Sequence, residues 1–240
     1  MKKLQSLLSF WDYSTLGKKY AMALSGAAML GFVFVHMAGN LLIFFSSPEH
    51  GHLINDYAAK LKSVPEVVWL ARMGLLLAVT VHFTTGIQLC MENREARPIP
   101  YQPTENAGFG TKRASRWMVV SGSIVAVFIV VHLLHFTIPW LRPDYGHLHD
   151  SFERHDVFAM VTAAFSNSLV CLFYFIGVGT LCYHLSHGIS AMFQTLGLKT
   201  KKHAALIEAV APILSVALFV GFSVVPLSVW LGILKVVEHQ

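Results

Sequence analysis

Five long apolar stretches dominate the pattern of hydrophobic and polar positions along the chain. They cover about residues 20–45, 66–92, 116–140, 156–196 and 205–234. Each exceeds the roughly 20 residues that a helix needs to cross a bilayer. The pattern predicts an all-α, polytopic membrane protein, in which five transmembrane helices form one bundle and a single domain over residues 1–240.

Two of these stretches have features that affect the expected helices. The fourth is longer than a bilayer requires, so its helix is expected to tilt or to project beyond the membrane. The fifth contains Pro212 and Pro226. Because proline removes a backbone donor, both are expected to interrupt the last helix.

Composition supports a membrane protein and argues against nucleic-acid binding and against metal sites formed by cysteines. Of the 240 residues, 55% are hydrophobic and 13% are charged, against about 25% charged in soluble domains. The net charge of +5 indicates no nucleic-acid partner, because the basic residues cluster at the ends of the apolar stretches. Cys90, Cys171 and Cys182 lack the spacing of zinc or iron–sulfur ligands and are interpreted as packing residues in contact with apolar surroundings.

The distribution of lysine and arginine predicts the orientation of the bundle. Twelve of the 18 basic residues fall on the side of the N-terminus and of the connections after the second and fourth stretches. The positive-inside rule therefore predicts a cytoplasmic N-terminus and an external C-terminus. The chain is expected in the inner (cytoplasmic) membrane of a bacterium, in contact with lipid.

Four histidines lie deep inside four different apolar stretches, where lipid supplies no hydrogen-bond partner. They are His36, His82, His132 and His184. Counted from the flanking charges, His82 and His184 lie toward the cytoplasm, and the other two lie toward the outside. The depths therefore predict two pairs, His82 with His184 and His36 with His132. Two histidines that face each other can bind one haem iron, so the four indicate the axial ligands of two haems b.

Each of the two later histidines has a neighbour that could replace it. His135 follows His132 by three residues, and His187 follows His184 by three. Residues three apart share a helix face, so either member of each doublet could be the ligand.

Three glycines near the histidines are candidates for positions that leave room for a flat macrocycle against the helix backbone. Gly86 and Gly188 follow their histidines by four residues, and Gly39 follows His36 by three. The alternative for each glycine is close packing between helices. The pattern fails after His132, where Phe136 occupies the fourth position.

Three stretches with a specific order and spacing resemble a known family. They are Ser14–Asn40 (STLGKKYAMALSGAAMLGFVFVHMAGN), Ala114–Phe136 (with ASRWMVVSG and FIVVHLLHF) and Tyr183–Leu198 (YHLSHGISAMFQTLGL), and His82 lies in VHFTTGIQL. Together they resemble the five-helix, two-haem cytochrome b membrane-anchor subunit of succinate dehydrogenase/fumarate reductase. The resemblance covers almost the whole chain, although the fifth stretch carries no comparable motif.

The resemblance implies a function and partners. It implies the first histidine of each doublet as the ligand, and a flavoprotein and an iron–sulfur subunit docked on the cytoplasmic face. The chain is then an electron-transfer subunit that carries electrons between an iron–sulfur cluster and a membrane quinone, with menaquinone favoured. Succinate chemistry itself would belong to a partner subunit, since this chain has no dinucleotide motif.

Further residues are candidates for contacts with haem propionates or with quinone. On the inner side they are Ser25, Arg113 and Arg116, and on the outer side they are Arg142, Trp140, His50 and His52. Glu66 with Arg72, or Ser25 with Arg116, could supply a quinone site. The alternative for each arginine is simple solvation or a role in orientation.

Two other functions remain open. A haem b subunit of a hydrogenase or formate dehydrogenase would also place histidines in its membrane helices. A histidine-using proton or metal transporter without haem is the alternative from another class. Such a transporter is expected to place carboxylates inside its helices, whereas the interiors of the first four stretches contain none.

Overall fold

The computed structural model of the chain describes residues 14–47, 51–96 and 111–235, apart from the side chains of residues 47 and 111–116. The helices in this part are α1 (Thr15–Leu41), α2 (Leu53–Lys62), α3 (Pro65–Glu95), α4 (Thr111–His132), α5 (Val157–Phe165), α6 (Ser168–Thr195) and α7 (Ala204–Trp230). A two-residue antiparallel hairpin, β1 (Ser46–Ser47) with β2 (Gly51–His52), precedes α2. Single helical turns follow α1 (Leu42–Phe44) and form Pro143–His147, and α4 continues as a π-helix over Leu133–Thr137.

Five of the described helices are long and apolar enough to cross a membrane. These segments are Thr15–Phe44, Pro65–Glu95, Trp117–Thr137, Ser168–Thr195 and Ala204–Trp230. Their outward surfaces carry large apolar side chains, such as Leu70 and Leu169, which are 75% and 76% exposed. Water would penalise such a surface, whereas lipid accepts it. The prediction of an all-α, polytopic membrane protein is confirmed.

Residues at the N-terminal ends of two long helices define where these helices begin. The Ser14 hydroxyl accepts a hydrogen bond from the Gly17 backbone N–H at 3.2 Å and caps α1. Pro65 occupies the first turn of α3, where its missing N–H costs nothing. We call the end of the bundle at which α1 begins the near end and the opposite one the far end.

The fourth apolar stretch was expected to form one long helix, but it forms two. Helix α5 has only nine residues, and α6 begins after a break at Ser166 and Asn167. The Asn167 side chain accepts hydrogen bonds from the Leu169 and Val170 backbone N–H groups and so starts a new helix. Only α6 spans the bundle. Its 28 residues, at about 1.5 Å each, are still longer than the roughly 30 Å of a bilayer core.

The expected interruption of the last helix is also wrong. Helix α7 runs continuously from Ala204 to Trp230 and contains both Pro212 and Pro226. Each proline removes one backbone hydrogen bond within the helix. Membrane helices tolerate this loss because neighbouring helices help to satisfy the freed backbone groups. The buried side chains Leu218, Val225 and Val229 pack α7 against the rest of the bundle.

Helices α1 and α6 occupy the centre of the bundle. Helix α1 packs on α3, α6 and α7, and α6 packs on α4 and α7 as well. The Gly177 face of α6 lies so close to Phe128 of α4 that a Cβ atom would overlap the ring. The four helices that carry the paired histidines therefore form a ring in which α1 contacts α3, α3 contacts α4, α4 contacts α6 and α6 contacts α1.

A polar network closes the far end of the bundle. Asn55 of α2 is 1% exposed. It donates to Asp150 at 3.2 Å and to Asp156 at 3.0 Å, and it accepts from the Phe158 N–H at 2.9 Å. Arg154 adds a salt bridge to Asp150 at 2.8 Å. We call α2, α5 and residues 150–156 the far-end cap. This cap joins two connections between spanning helices that are distant in sequence.

Candidate functional site

The histidines of the spanning helices lie in two facing pairs. The rings of His82 (α3) and His184 (α6) have centroids 6.2 Å apart and planes inclined at 71°. Those of His36 (α1) and His132 (α4) are 5.8 Å apart and inclined at 77°. We call these the near pair and the far pair. The pairing that depth predicts is the pairing of the rings in the structure.

In the near pair, His82 is oriented by the backbone of α1. Its Nδ1 lies 3.0 Å from the carbonyl oxygen of Met22 and 3.4 Å from the Ser25 hydroxyl. A carbonyl oxygen can only accept, so the Nδ1–H of His82 donates to it. The neutral ring then has its lone pair on Nε2, which is the nitrogen left to bind a metal.

The partner ring of the near pair is held by an equivalent contact. Nδ1 of His184 lies 3.1 Å from the Ser121 hydroxyl of α4. That hydroxyl donates its proton to the Met118 carbonyl oxygen at 3.2 Å. Its oxygen can therefore accept the Nδ1–H of His184, which again leaves the Nε2 lone pair free.

A glycine beside each serine lets the imidazole approach. A Cβ atom at Gly26 would lie 3.2 Å from Cε1 of His82, and one at Gly122 would lie 3.2 Å from Cε1 of His184. These two glycines were not among the predicted site residues. Their signal in the sequence is the dipeptide Ser-Gly, which occurs at 25–26 and again at 121–122.

Aromatic rings surround the far pair. Phe32 stacks on His36 with centroids 5.3 Å apart and planes 14° apart, and Phe222 of α7 lies 5.9 Å from the same ring. On the other side, Tyr174 of α6 approaches His132, with its hydroxyl 3.4 Å from Nδ1. The far pair is therefore built from four helices and has a less polar setting than the near pair.

The structure separates the two members of each histidine doublet. His135 lies in the π-helix at Leu133–Thr137, and its Nδ1 lies 3.0 Å from the Tyr174 hydroxyl. In the other doublet, His187 makes an edge contact with Tyr183, at a centroid distance of 5.2 Å. His132 and His184 are the members that face a histidine ring of another helix.

The three glycines predicted to provide clearance have different surroundings. A Cβ atom at Gly86 would meet nothing within 4 Å, and one at Gly188 would meet only Met118, at 3.9 Å. At Gly39 it would lie 3.0 Å from the ring of Tyr57. Gly39 therefore accommodates α2 of the far-end cap, so the packing alternative describes this position.

The candidates for propionate and quinone contacts are dispersed. Ser25 lies beside His82, whereas Trp140 is 73% exposed and Arg142 is paired with Asp144 at 2.6 Å. Hydrogen bonding to Asp144 raises the pKa of Arg142, although burial opposes this change. The side chains of Arg113 and Arg116, together with His50, lie outside the described residues.

Glu66 and Arg72, the other proposed quinone contacts, are not paired with each other. Both are exposed, and among the described residues no ion pair connects them. The Arg72 guanidinium instead lies 5.2 Å from the centroid of the Trp69 ring. An exposed, separated pair of this kind is consistent with solvation at the end of α3.

His52 lies in a groove at the far end. Its ring stacks on Phe158 with centroids 3.6 Å apart, and its Nδ1 is buried without a hydrogen-bond partner among the described residues. The groove has a volume of about 330 Å³ and is lined by apolar side chains together with Ser46, His52 and Lys235. A second groove, of about 340 Å³, opens beside Ser121 between α4 and α6.

The ring separations fit an iron ion between the two members of each pair. A bond between an imidazole nitrogen and a transition metal is about 2.0–2.1 Å long. Two such bonds in line, each extended by about 1.1 Å to the ring centre, separate the centroids by about 6.3 Å. The observed 6.2 and 5.8 Å are close to this value. In the near pair, the Met22 carbonyl oxygen favours the His82 tautomer that metal binding requires, and the Ser121 hydroxyl can accept the same proton from His184.

In the part of the chain that the structure describes, no three His, Cys, Asp or Glu side chains are placed together to hold an ion. A haem needs fewer protein ligands, since its macrocycle supplies four nitrogens and two histidines complete the coordination. The donor set present is therefore sufficient for this group.

Comparison of the chain with protein-family models, with curated proteins and with solved structures finds no match. A functional interpretation therefore depends on two things. One is the geometry of the two imidazole pairs inside five membrane-spanning helices. The other is the resemblance of the sequence motifs that contain these histidines.

Proposed function

We propose that this chain is the membrane-anchor cytochrome b subunit of a succinate:quinone oxidoreductase and holds two haems b. The observation that supports the proposal most directly is the pair of imidazole pairs, with centroids 6.2 and 5.8 Å apart, on four adjacent membrane helices. A single buried histidine pair can be an accident of packing. Two pairs at different depths suggest a conducting path across the membrane.

The residues of the chain have separable tasks in this proposal. His82 and His184 hold the haem nearer the near end, and His36 and His132 hold the other. The Met22 carbonyl and the Ser121 hydroxyl accept the Nδ1–H protons and keep Nε2 available. Gly26 and Gly122 allow the rings to take these positions. Each haem would supply one-electron redox chemistry with no open iron position.

The proposal includes partners and an orientation. The near end is assigned to the cytoplasm, where a flavoprotein and an iron–sulfur subunit would dock. Exposed lysines at this end, Lys19, Lys201 and Lys202, agree with a cytoplasmic location. The membrane would be the inner membrane of a bacterium, and the quinone, with menaquinone favoured, would accept or donate electrons within it.

Purification from native membranes in mild detergent tests the proposal. A tagged chain should retain a flavoprotein and an iron–sulfur subunit, and the preparation should reduce quinone with succinate as the donor. Reduction by hydrogen or formate instead would identify the haem b subunit of a hydrogenase or formate dehydrogenase. A colourless preparation without redox activity would favour the histidine-using transporter.

A further inference from the structure

Tyr174 lies between the two histidines of the far doublet. Its hydroxyl is 3.4 Å from Nδ1 of His132 and 3.0 Å from Nδ1 of His135. Tyr174 lies on α6, whereas His132 is the last residue of α4 and His135 lies in the π-helix that follows it. One phenolic oxygen therefore connects a proposed iron ligand with a second, non-facing histidine.

The directions of these two hydrogen bonds are coupled. A histidine that binds iron through Nε2 carries its proton on Nδ1, so His132 must donate to the Tyr174 oxygen. The phenol has a single proton, and it is then free to donate to Nδ1 of His135. A hydroxyl that donates in this way becomes a better acceptor, because hydrogen bonds in a chain polarise one another.

The surroundings of this contact exclude water. Tyr174 is 6% exposed and His135 is 7% exposed. Phe128, Phe136 and Phe165 pack around the Tyr174 ring at centroid distances of 5.4, 5.7 and 5.1 Å. In such a setting no solvent molecule replaces a lost partner, so each hydrogen bond has a larger effect than at a surface.

We propose that Tyr174 is a positioning residue that keeps His132 as the iron ligand of the far pair. By accepting a hydrogen bond from His132 and donating one to His135, Tyr174 also sets the reduction potential of the far haem. The inference rests on the proposed haem ligation. Acceptance of the Nδ1–H makes the imidazole of His132 more electron-rich and favours ferric iron. One electron enters the iron on reduction, both hydrogen bonds persist, and no proton is transferred.

Redox titration of the purified two-haem protein tests this role. Tyr174→Phe keeps the aromatic packing and should retain two haems per chain, while one midpoint potential rises. A tenfold change in the ferric-to-ferrous equilibrium corresponds to about 59 mV for a one-electron couple. In a His82→Ala background only the far haem should remain, so the same rise can be assigned to it.

Two further variants separate hydrogen bonding from packing. His135→Gln offers an amide oxygen to the phenol and should keep the potential near that of the wild type, whereas His135→Leu should raise it. Tyr183→Phe is the matched control, since this tyrosine of α6 is 44% exposed and should leave both potentials unchanged.

Unchanged potentials in Tyr174→Phe would overturn the inference while two haems per chain still supported the proposed function. Loss of one haem in His135→Leu, with both retained in His132→Ala, would overturn it as well, because His135 would then be the ligand. A wild-type protein without haem would instead contradict the proposed function on which the inference rests.

Discussion

At the scale of single residues, the same dipeptide performs one task on two helices. In Ser25–Gly26 and Ser121–Gly122, the serine lies within hydrogen-bond distance of an imidazole nitrogen and the glycine makes room for the ring. The sequence predicted which histidines pair, because depth in a membrane follows from counting residues. It did not predict these glycines, because the face that meets a neighbouring helix depends on packing.

The glycine contacts give a prediction at this scale. Gly26→Leu should push the His82 ring away and reduce the haem content from two per chain to about one, since even a Cβ atom at this position would lie 3.2 Å from Cε1 of that ring. Haem per chain, measured after purification, checks it. The matched control is Gly31→Leu on the same helix, where a Cβ atom meets nothing within 4 Å, and two haems should remain. Equal haem content in both variants would contradict this prediction.

At the scale of helices, the elements that hold the site are those with the clearest apolar pattern. Their existence and number followed from the sequence. The break at Asn167 did not, because the apolar residues continue on both sides of it and only the capping hydrogen bonds distinguish two helices from one. The π-helix after His132 was not predicted either, and it contains His135, the other member of that doublet.

The far-end cap gives a prediction at the scale of elements. Burial raises the pKa of Asp150, but hydrogen bonds from Arg154, Phe152 and Asn55 outweigh it and hold the pKa below its ordinary value, about 3.9. A carboxyl with a lowered folded-state pKa stabilises the fold above its unfolded pKa, and this contribution is lost as the pH falls through the folded pKa.

Thermal unfolding in detergent between pH 7 and pH 3 measures this contribution. Asp150→Asn should unfold at a lower temperature than the wild type near neutral pH, and the difference should shrink as the pH falls below about 4. Glu153→Gln, an exposed carboxyl of the same loop, should follow the wild type throughout. A constant difference for Asp150→Asn across the whole range would show that its charge does not matter.

At the scale of the whole molecule, the charge distribution predicts how the bundle lies in the membrane. Five spanning helices place the start of α1 and the end of α7 at opposite ends of the bundle. From the excess of lysine and arginine on the near-end side of the sequence we expect that end to face the cytoplasm. In this orientation the far pair, on the side of the far-end cap, would lie toward the outside.

Cysteine labelling of whole cells tests this orientation. With Cys90, Cys171 and Cys182 replaced by serine, Ser63→Cys at the far end should react with a membrane-impermeant maleimide in intact spheroplasts. Lys201→Cys at the near end should react only after the membrane is permeabilised. Both positions are exposed, so the reversed result would mean that the orientation is opposite.

The central claim is that four histidines hold two haems, and haem stoichiometry tests it most directly. Dithionite-reduced minus oxidised spectra with pyridine haemochrome quantitation should give about two haems b per chain in the wild type. The content should fall to about one in His82→Ala and in His36→Ala, with the lost haem different in each. A colourless wild-type protein, produced with haem supplied, would contradict the account and leave the paired imidazoles to be explained as a proton or metal path.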